Sequence, residues 1–373
     1  MNIGIDARVL EKKMTGIGRY LLDILKGFPL ADFGTNITLF SINKINSEFF
    51  SFPENTYRLV NSGSYNIPPK LISPFWLNFV LPSLIERNKI DIFFSPNHLL
   101  PFTKLKCKSV VVVHDLHHIT NKKNHSFFYR NYLNFQLPYS IKNADVIVAI
   151  SESTKKDLMD RFAVPPEKIK IIYRAADKKF IPFTVTKQER ERLKLPDKFV
   201  LYVGVIENRK NIMGILKTAD ILFSKNAEIK FLLVGRPGYG FKAIEKEINK
   251  RTNVIYLNYI AEKDIVILYN SALLFFFPSY YEGFGLPPLE AMQCGIPVLC
   301  SDIPTLKEVV GNNGFLRHTD DFSGFAEDIM KLSNDPTLYS EMKSQAIKQA
   351  KLFSADESLN KLVTVFEHLK TNH

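Results

Sequence analysis

The sequence predicts an α/β protein built twice over, each time from a parallel sheet covered by helices on both faces. Three observations carry that prediction. Short runs of β-branched and aromatic residues recur along the chain, longer amphipathic stretches such as "NIMGILKTADILFSK" separate them, and 373 residues exceed one ordinary core. In chain order the first set of strand candidates is "NIGIDA", "NITLFSI", "DIFFS", "KSVVVVHD" and "ADVIVAIS". The second set is "FVLYVGV", "KFLLVG", "NVIYLN", "LLFFFPS" and "IPVLCSD". Each run is apolar nearly throughout instead of alternating, as a strand covered on both faces requires. Between the sets lies "YRAADKKFIPFTVTKQERERLKLPDK", which is polar, holds two prolines and has no apolar period at its centre, so a linker is expected near residues 177–190. The expected domains are residues 1–180 and 188–354, with a terminal helix at about 355–373 able to return to the first.

Composition excludes several classes. Hydrophobic residues make up 46% and charged residues 23%, and apolar runs such as "ALLFFF" stop far short of the roughly 20 residues that span a bilayer. The start, "MNIGIDARVL", carries an acid at position 6 and lacks the basic-apolar-small succession of a secretory signal, so a cytoplasmic protein is expected. Cys107, Cys294 and Cys300 lack metal-type spacing and read as reduced, packed thiols. Charge is divided unevenly: residues 1–180 hold 25 Lys and Arg against 15 Asp and Glu, whereas residues 181–373 hold 24 against 23. The first half therefore faces something anionic, either nucleic acid or a phospholipid surface.

The densest chemistry lies in "YYEGFGLPPLEAMQCGIPVLCSD", residues 280–302. Proline disfavours helix in the residue before it and suits the first helical turn, so a helix is expected from Pro287 to Gly295, with Glu290 in its first turn. Glu282 falls in the loop outside, where Gly283 and Gly285 let the backbone approach a ligand. A loop opening onto a helix N-terminus is a site for an anion such as phosphate, through free N–H groups and the positive end of the dipole. A carboxylate there needs another task, and Glu290 suits vicinal hydroxyls, since it can accept two hydrogen bonds from a diol.

With "EVVGNNG" following, this segment resembles the E-x7-E signature of retaining nucleotide-sugar glycosyltransferases of family 4. The resemblance extends over nearly the whole chain through "TGIGRY", "VVHDL", "ISESTKKDL", "YVGVIENRKN" and "FLLVG", in the family's order. It implies the GT-B fold, in which two Rossmann-like domains face their parallel sheets across a cleft that holds the donor. By matching position, Glu290 holds the donor ribose, Glu282 lies by the donor sugar, and Arg209 and Lys210 grip the leaving diphosphate. Gly16 and Gly18 approach the same phosphates from the other domain, and His114 touches the sugar near the reacting carbon. Gly204, Gly235, Ile260, Gly283, Phe284, Gly285 and Leu286 complete the donor contacts that the resemblance implies. Neither a metal nor another cofactor is implied. The subset with "GIGRY" and "RKN" includes mannosyltransferases of bacterial polysaccharide pathways (O-antigen, lipopolysaccharide, capsule), which points to GDP-mannose and a lipid-linked glycan acceptor.

Other readings compete for some of these residues. "ENRKN" alone reads as a solvated loop, "TGIGRY" as a helix-entry turn, and a histidine ending an apolar run as structural. "HDLHH" at 114–118 gathers three imidazoles, but neighbours on a strand end point different ways, and no D-x-D triplet occurs in the chain. "GYGFKA" mimics the dinucleotide fingerprint, yet "NVIYLNYI" ends without the acid that holds an NAD ribose, so a dehydrogenase is excluded. Val205 stands where many family members carry an arginine, and Arg209 is expected to take over that phosphate contact. The alternative enzyme is a glycosyltransferase of soluble sugars with a UDP- or ADP-sugar donor. A nucleic-acid-binding protein is the alternative of another class, against which stand the missing zinc spacing, aromatic-basic signature and basic recognition helix.

Charge locates the expected acceptor side. The lysine clusters Lys12-Lys13, Lys104-Lys106-Lys108, Lys122-Lys123 and Lys155-Lys156 share the first half with "ISPFWLNFVLPSLI" and "NHSFFYRNYLNF". If those segments are not simply buried helices, their aromatics insert at headgroup level, and the first domain rests as a peripheral protein on the inner face of the cytoplasmic membrane.

Overall fold

The computed structural model describes the chain apart from residues 12–13, 29–34, 47–51, 53–55, 64, 117–126, 312–313 and 372–373, and apart from the side chains of 127–130. It forms two compact units, Met1–Arg174 with Ala355–His373, and Ala175–Ser354. The expected pairs Lys12-Lys13 and Lys122-Lys123 lie outside the described residues, as do His117 and His118 of "HDLHH".

The first unit is built on seven parallel strands: β1 (Asn2–Asp6), β2 (Asn36–Ser41), β3 (Arg58–Asn61), β4 (Ile92–Ser95), β5 (Lys108–Val113), β6 (Val146–Ala149) and β7 (Ile169–Ile171). Their order is β3-β2-β1-β4-β5-β6-β7, with Ile3 level with Ile37 on one side and Ile92 on the other. The second unit has β8 (Phe199–Val203), β9 (Lys230–Val234), β10 (Val254–Leu257), β11 (Leu274–Phe277), β12 (Val298–Ser301) and β13 (Phe315–Arg317), ordered β10-β9-β8-β11-β12-β13. Each sheet thus reverses its winding once, between β1 and β4 and between β8 and β11. In doubly wound sheets ligands bind beyond the carboxyl ends of the strands at that point. For the second unit those ends open onto Gly204–Lys210 and onto the glutamate loop.

All ten strand candidates form strands. The three that the sequence reading passed over, β3, β7 and β13, are edge strands of three or four residues with mixed burial, which leaves no continuous apolar run to read. The expected linker also differs from expectation, because it contains the helix Lys187–Arg192. Thr186 and Glu189 form a reciprocal capping box there, which starts a helix without any apolar stripe.

The terminal helix Ala355–Thr371 belongs to the first unit. Phe366 packs on Phe94 of β4 and on Phe28, with ring centroids 5.7 and 6.1 Å away, and Ser358 Oγ donates to the Tyr173 carbonyl at 2.7 Å. The segment "ISPFWLNFVLPSLI" is divided. Helices Pro69–Phe75 and Leu81–Arg87 flank a π-helical turn, Trp76–Val80, in which the Leu81 N–H reaches back five residues to the Trp76 carbonyl. Trp76 is fully buried beneath the Arg8 guanidinium, 4.7 Å from its ring, and donates to Ser62 Oγ at 2.8 Å, while Phe79 points outward. Cys294 and Cys300 are buried and Cys107 half-buried, and none is bridged.

Candidate active site

The loop after β8 sets the cations. A 3-10 turn, Asn208–Lys210, ends at Asn211 in the left-handed region, φ 53°. From there the Asn211 side chain caps the helix Ile212–Ser224, accepting from the Gly214 N–H at 3.0 Å, and donates to the Thr319 carbonyl at 2.9 Å. The backbone of Arg209 and Lys210 is thereby pinned beside the end of β11, and the Arg209 carbonyl accepts from the Tyr280 N–H at 3.0 Å.

Lys210 is buried, with Nζ 2.5 Å from Glu282 Oε1 and 4.9 Å from the Phe277 ring centroid. Arg209 donates to the Tyr281 carbonyl at 2.8 Å, pairs with Glu207 at 2.9 Å, and reaches Glu282 Oε2 at 3.4 Å. Two cations and two carboxylates therefore form one cluster. Burial alone would push Glu282 up, but Lys210 and Arg209 outweigh it and hold the carboxyl below its usual range. Burial also pulls the Lys210 ammonium down, which Glu282 only partly offsets. Glu282 is further fixed through its backbone, since Thr305 Oγ1 donates to its carbonyl at 3.0 Å.

Glu290 stands apart from that cluster. It lies on the helix Leu286–Gln293, in the second turn and not the first, because the helix begins at Leu286, one residue before the prolines. Gly285, at φ 107°, precedes it, and a Cβ there would lie 2.8 Å from Leu306. Tyr269 on the helix Glu262–Ser271 donates its hydroxyl to Glu290 Oε2 at 2.8 Å. The expected supply of free N–H groups is narrower than the motif implied, since Pro287 and Pro288 have none and the Leu289 N–H bonds the Gly285 carbonyl. Leu286 is the remaining first-turn donor beside the loop amides. Phe284 turns its ring into the core against Phe353, centroids 5.7 Å apart, so only its backbone faces the loop. At the other strand ends, Gly235 approaches Gly204 so closely that a Cβ would fall 1.8 Å from its carbonyl oxygen, and Ile260 lies half-buried in the loop after β10.

In the first unit the helix Gly16–Gly27 is capped by Thr15, whose Oγ1 takes the Gly18 N–H at 3.1 Å. A Cβ on Gly18 would meet the Val9 carbonyl at 3.0 Å, so that glycine serves the turn below it, whereas Gly16 is exposed at the tip. His114 follows β5 and is buried, its Nε2–H donating to the Pro96 carbonyl at 2.8 Å and its ring edge-on to Tyr20. Burial, with Arg174 nearby, lowers its pKa to about 3, so the imidazole is neutral.

Arg209, Lys210 and Glu282 are thus in contact, and Glu290 sits on the helix that follows. The sequence reading did not single out Glu207, Asn211 or Tyr269; Glu207 lay within "ENRKN" and its reach to Arg209 was the available signal.

The profile of the glycosyl transferases group 1 matches residues 185–351, which carry the second-unit residues named above apart from Phe353. That of glycosyltransferase family 4 matches residues 14–180. The chain belongs to the group 1 and family 4 glycosyltransferases. It is 27% identical over 389 residues to the O-antigen chain mannosyltransferase B of Escherichia coli, covering 99% of this chain and all of that one. It is 29% identical over 276 residues to the serotype-specific mannosyltransferase WbdA of Escherichia coli, over 68% of this chain and only 33% of that longer protein. Among solved structures, this glycosyltransferase overlays a sucrose-phosphate synthase from Thermosynechococcus elongatus with a TM-score of 0.79 at 18% identity, over the full length of both, a likeness of fold alone.

Proposed function

We propose that this glycosyltransferase moves a hexose, mannose from GDP-mannose, with retention to a lipid-linked glycan acceptor in bacterial surface polysaccharide synthesis. The observation that carries the reading is the Arg209–Lys210–Glu282 cluster at the switch point of the second sheet, with Glu290 on the next helix. Mannose and O-antigen are supported by the names of the Escherichia coli relatives and by a Salmonella typhimurium O-antigen chain mannosyltransferase, 26% identical over 272 residues.

On this reading the donor diphosphate lies on Arg209 and Lys210, whose charge meets the negative charge that grows on the leaving oxygen as the C1–O bond breaks. The Glu290 carboxylate accepts from the ribose hydroxyls while Tyr269 holds it in place. Glu282, already engaged by two cations, is a weak nucleophile, so it orients the sugar. The acceptor oxygen then bonds C1 on the face that the diphosphate leaves, and its proton passes to a departing phosphate oxygen. No helix among the described residues is long and apolar enough to cross a membrane, and the exposed lysines of the first unit support peripheral attachment to an anionic leaflet.

The test is a hydrolysis and transfer screen across GDP-, UDP- and ADP-sugars. Turnover of GDP-mannose above the others is expected, and preference for a UDP- or ADP-sugar overturns the donor assignment.

A further inference from the structure

We infer that Phe79, Phe102 and Phe135 form one wedge that inserts into an anionic lipid leaflet and seats the first unit on it; this rests on the membrane-bound acceptor proposed above. The three rings are 71%, 47% and 75% exposed, large values for phenylalanine, and they come from three separate segments. One hydrogen-bonded hub holds those segments together. Asn78, in the π-helical turn, accepts from the Phe102 N–H at 2.8 Å and from Gln136 Nε2 at 3.2 Å, and donates to the Pro74 carbonyl at 2.9 Å. Gln136 is fully buried and also donates to the Leu100 carbonyl, while the Leu100 N–H bonds Ser140 Oγ at 2.8 Å. Phe79 follows Asn78, Phe135 precedes Gln136, and Phe102 is bonded to Asn78, so each exposed ring is at most one residue from the hub.

Support beneath the rings is equally specific. Phe75 backs Phe79 with centroids 5.4 Å apart, and Tyr139 meets Phe102 edge-on at 5.2 Å. The same network ties core residues such as Leu100 to the three outward aromatics, while Trp76, Leu77 and Leu81 fill the inner side.

Charge and area decide the occupant. Phe79 lines a groove of about 560 Å³ with Lys89, Lys104 and Lys106 and with two acids, Asp91 and Glu86, the latter paired with Lys106 at 2.5 Å, and Lys142 is exposed on the helix that carries Phe135. Aromatic rings rimmed by lysines match the interface of an anionic bilayer, where rings sit at headgroup level and lysines meet phosphate. Together the rings expose roughly 400 Å², about half of what one partner contributes to a standard protein interface, which disfavours a second copy of this chain.

The experiment is co-sedimentation of the full chain with vesicles of phosphatidylethanolamine and phosphatidylglycerol, comparing wild type with Phe79→Ser/Phe102→Ser/Phe135→Ser. Binding is expected to fall by about tenfold or more, with donor hydrolysis unchanged as the control for folding. A Phe135→Trp variant should show a vesicle-dependent blue shift that buried Trp76 does not. If wild type binds vesicles and the triple variant binds equally, without a blue shift, the wedge is wrong and the membrane reading stands. Absence of vesicle binding even at low salt removes both. A wild-type dimer that the triple variant converts to monomer assigns the patch to self-association and overturns the wedge.

Discussion

Lys210→Ala should cost stability as well as turnover. The ammonium sits 2.5 Å from Glu282 in a buried setting, so its removal leaves a carboxylate that must lose its charge or stay unpaired. Breaking a buried pair typically costs 3–5 kcal/mol, and the 3.4 Å contact from Arg209 retains part of the pairing, which places the expected loss at about 2–3 kcal/mol. At roughly 2–4 °C per kcal/mol for a unit of this size, the melting transition of the second unit should fall by about 4–12 °C. The double variant Lys210→Met/Glu282→Gln removes both charges at similar volume and should recover most of that loss while staying inactive. Scanning calorimetry of the three proteins, with donor hydrolysis on the same samples, gives both readouts. A melt unchanged in Lys210→Ala, or a double variant no better than the single one, refutes the buried-pair argument.

Two further outcomes follow from the geometry. Glu290→Gln loses the paired acceptors for a ribose diol, so GDP affinity should fall by about 1.5–3 kcal/mol, roughly 10- to 150-fold by titration calorimetry; unchanged affinity removes Glu290 from the donor site. His114 has a folded pKa near 3 against an ordinary value near 6.5, so the unfolded chain takes up the proton first. Its contribution is whole above about pH 6.5 and is lost as pH falls, by about 1.4 kcal/mol per unit. His114→Asn should flatten urea-melt stability between pH 7 and pH 5, and an unaltered slope contradicts the buried neutral imidazole.

The sequence was most legible where both faces of a strand are covered. The middle of a central strand, such as Val110–Val113 in "KSVVVVHD", is wholly apolar and buried, whereas β3, with Arg58 and Asn61, is an edge that needs no apolar run. The site divided along a similar line. Arg209, Lys210, Glu282 and Glu290 stand in short local motifs whose turn and cap chemistry can be read along the chain. Tyr269 meets Glu290 from a helix 21 residues earlier, so its part depends on tertiary proximity, whereas Glu207 reaches Arg209 two residues on and was open to a local reading. Trp76 and Phe79, three residues apart, face opposite ways because a π-helical turn intervenes before Pro82, which no apolar periodicity announces.

The most direct measurement of the central claim, that Arg209 and Lys210 receive a donor diphosphate, is calorimetric affinity for GDP and for guanosine in wild type and Arg209→Gln. Taking the two ligands as a ratio cancels any general loss of fold. The account predicts that wild type binds GDP about 10- to 100-fold more tightly than guanosine, and that Arg209→Gln lowers this ratio by about tenfold while guanosine affinity holds. A wild-type protein indifferent to the diphosphate, or a ratio that survives Arg209→Gln, would contradict it.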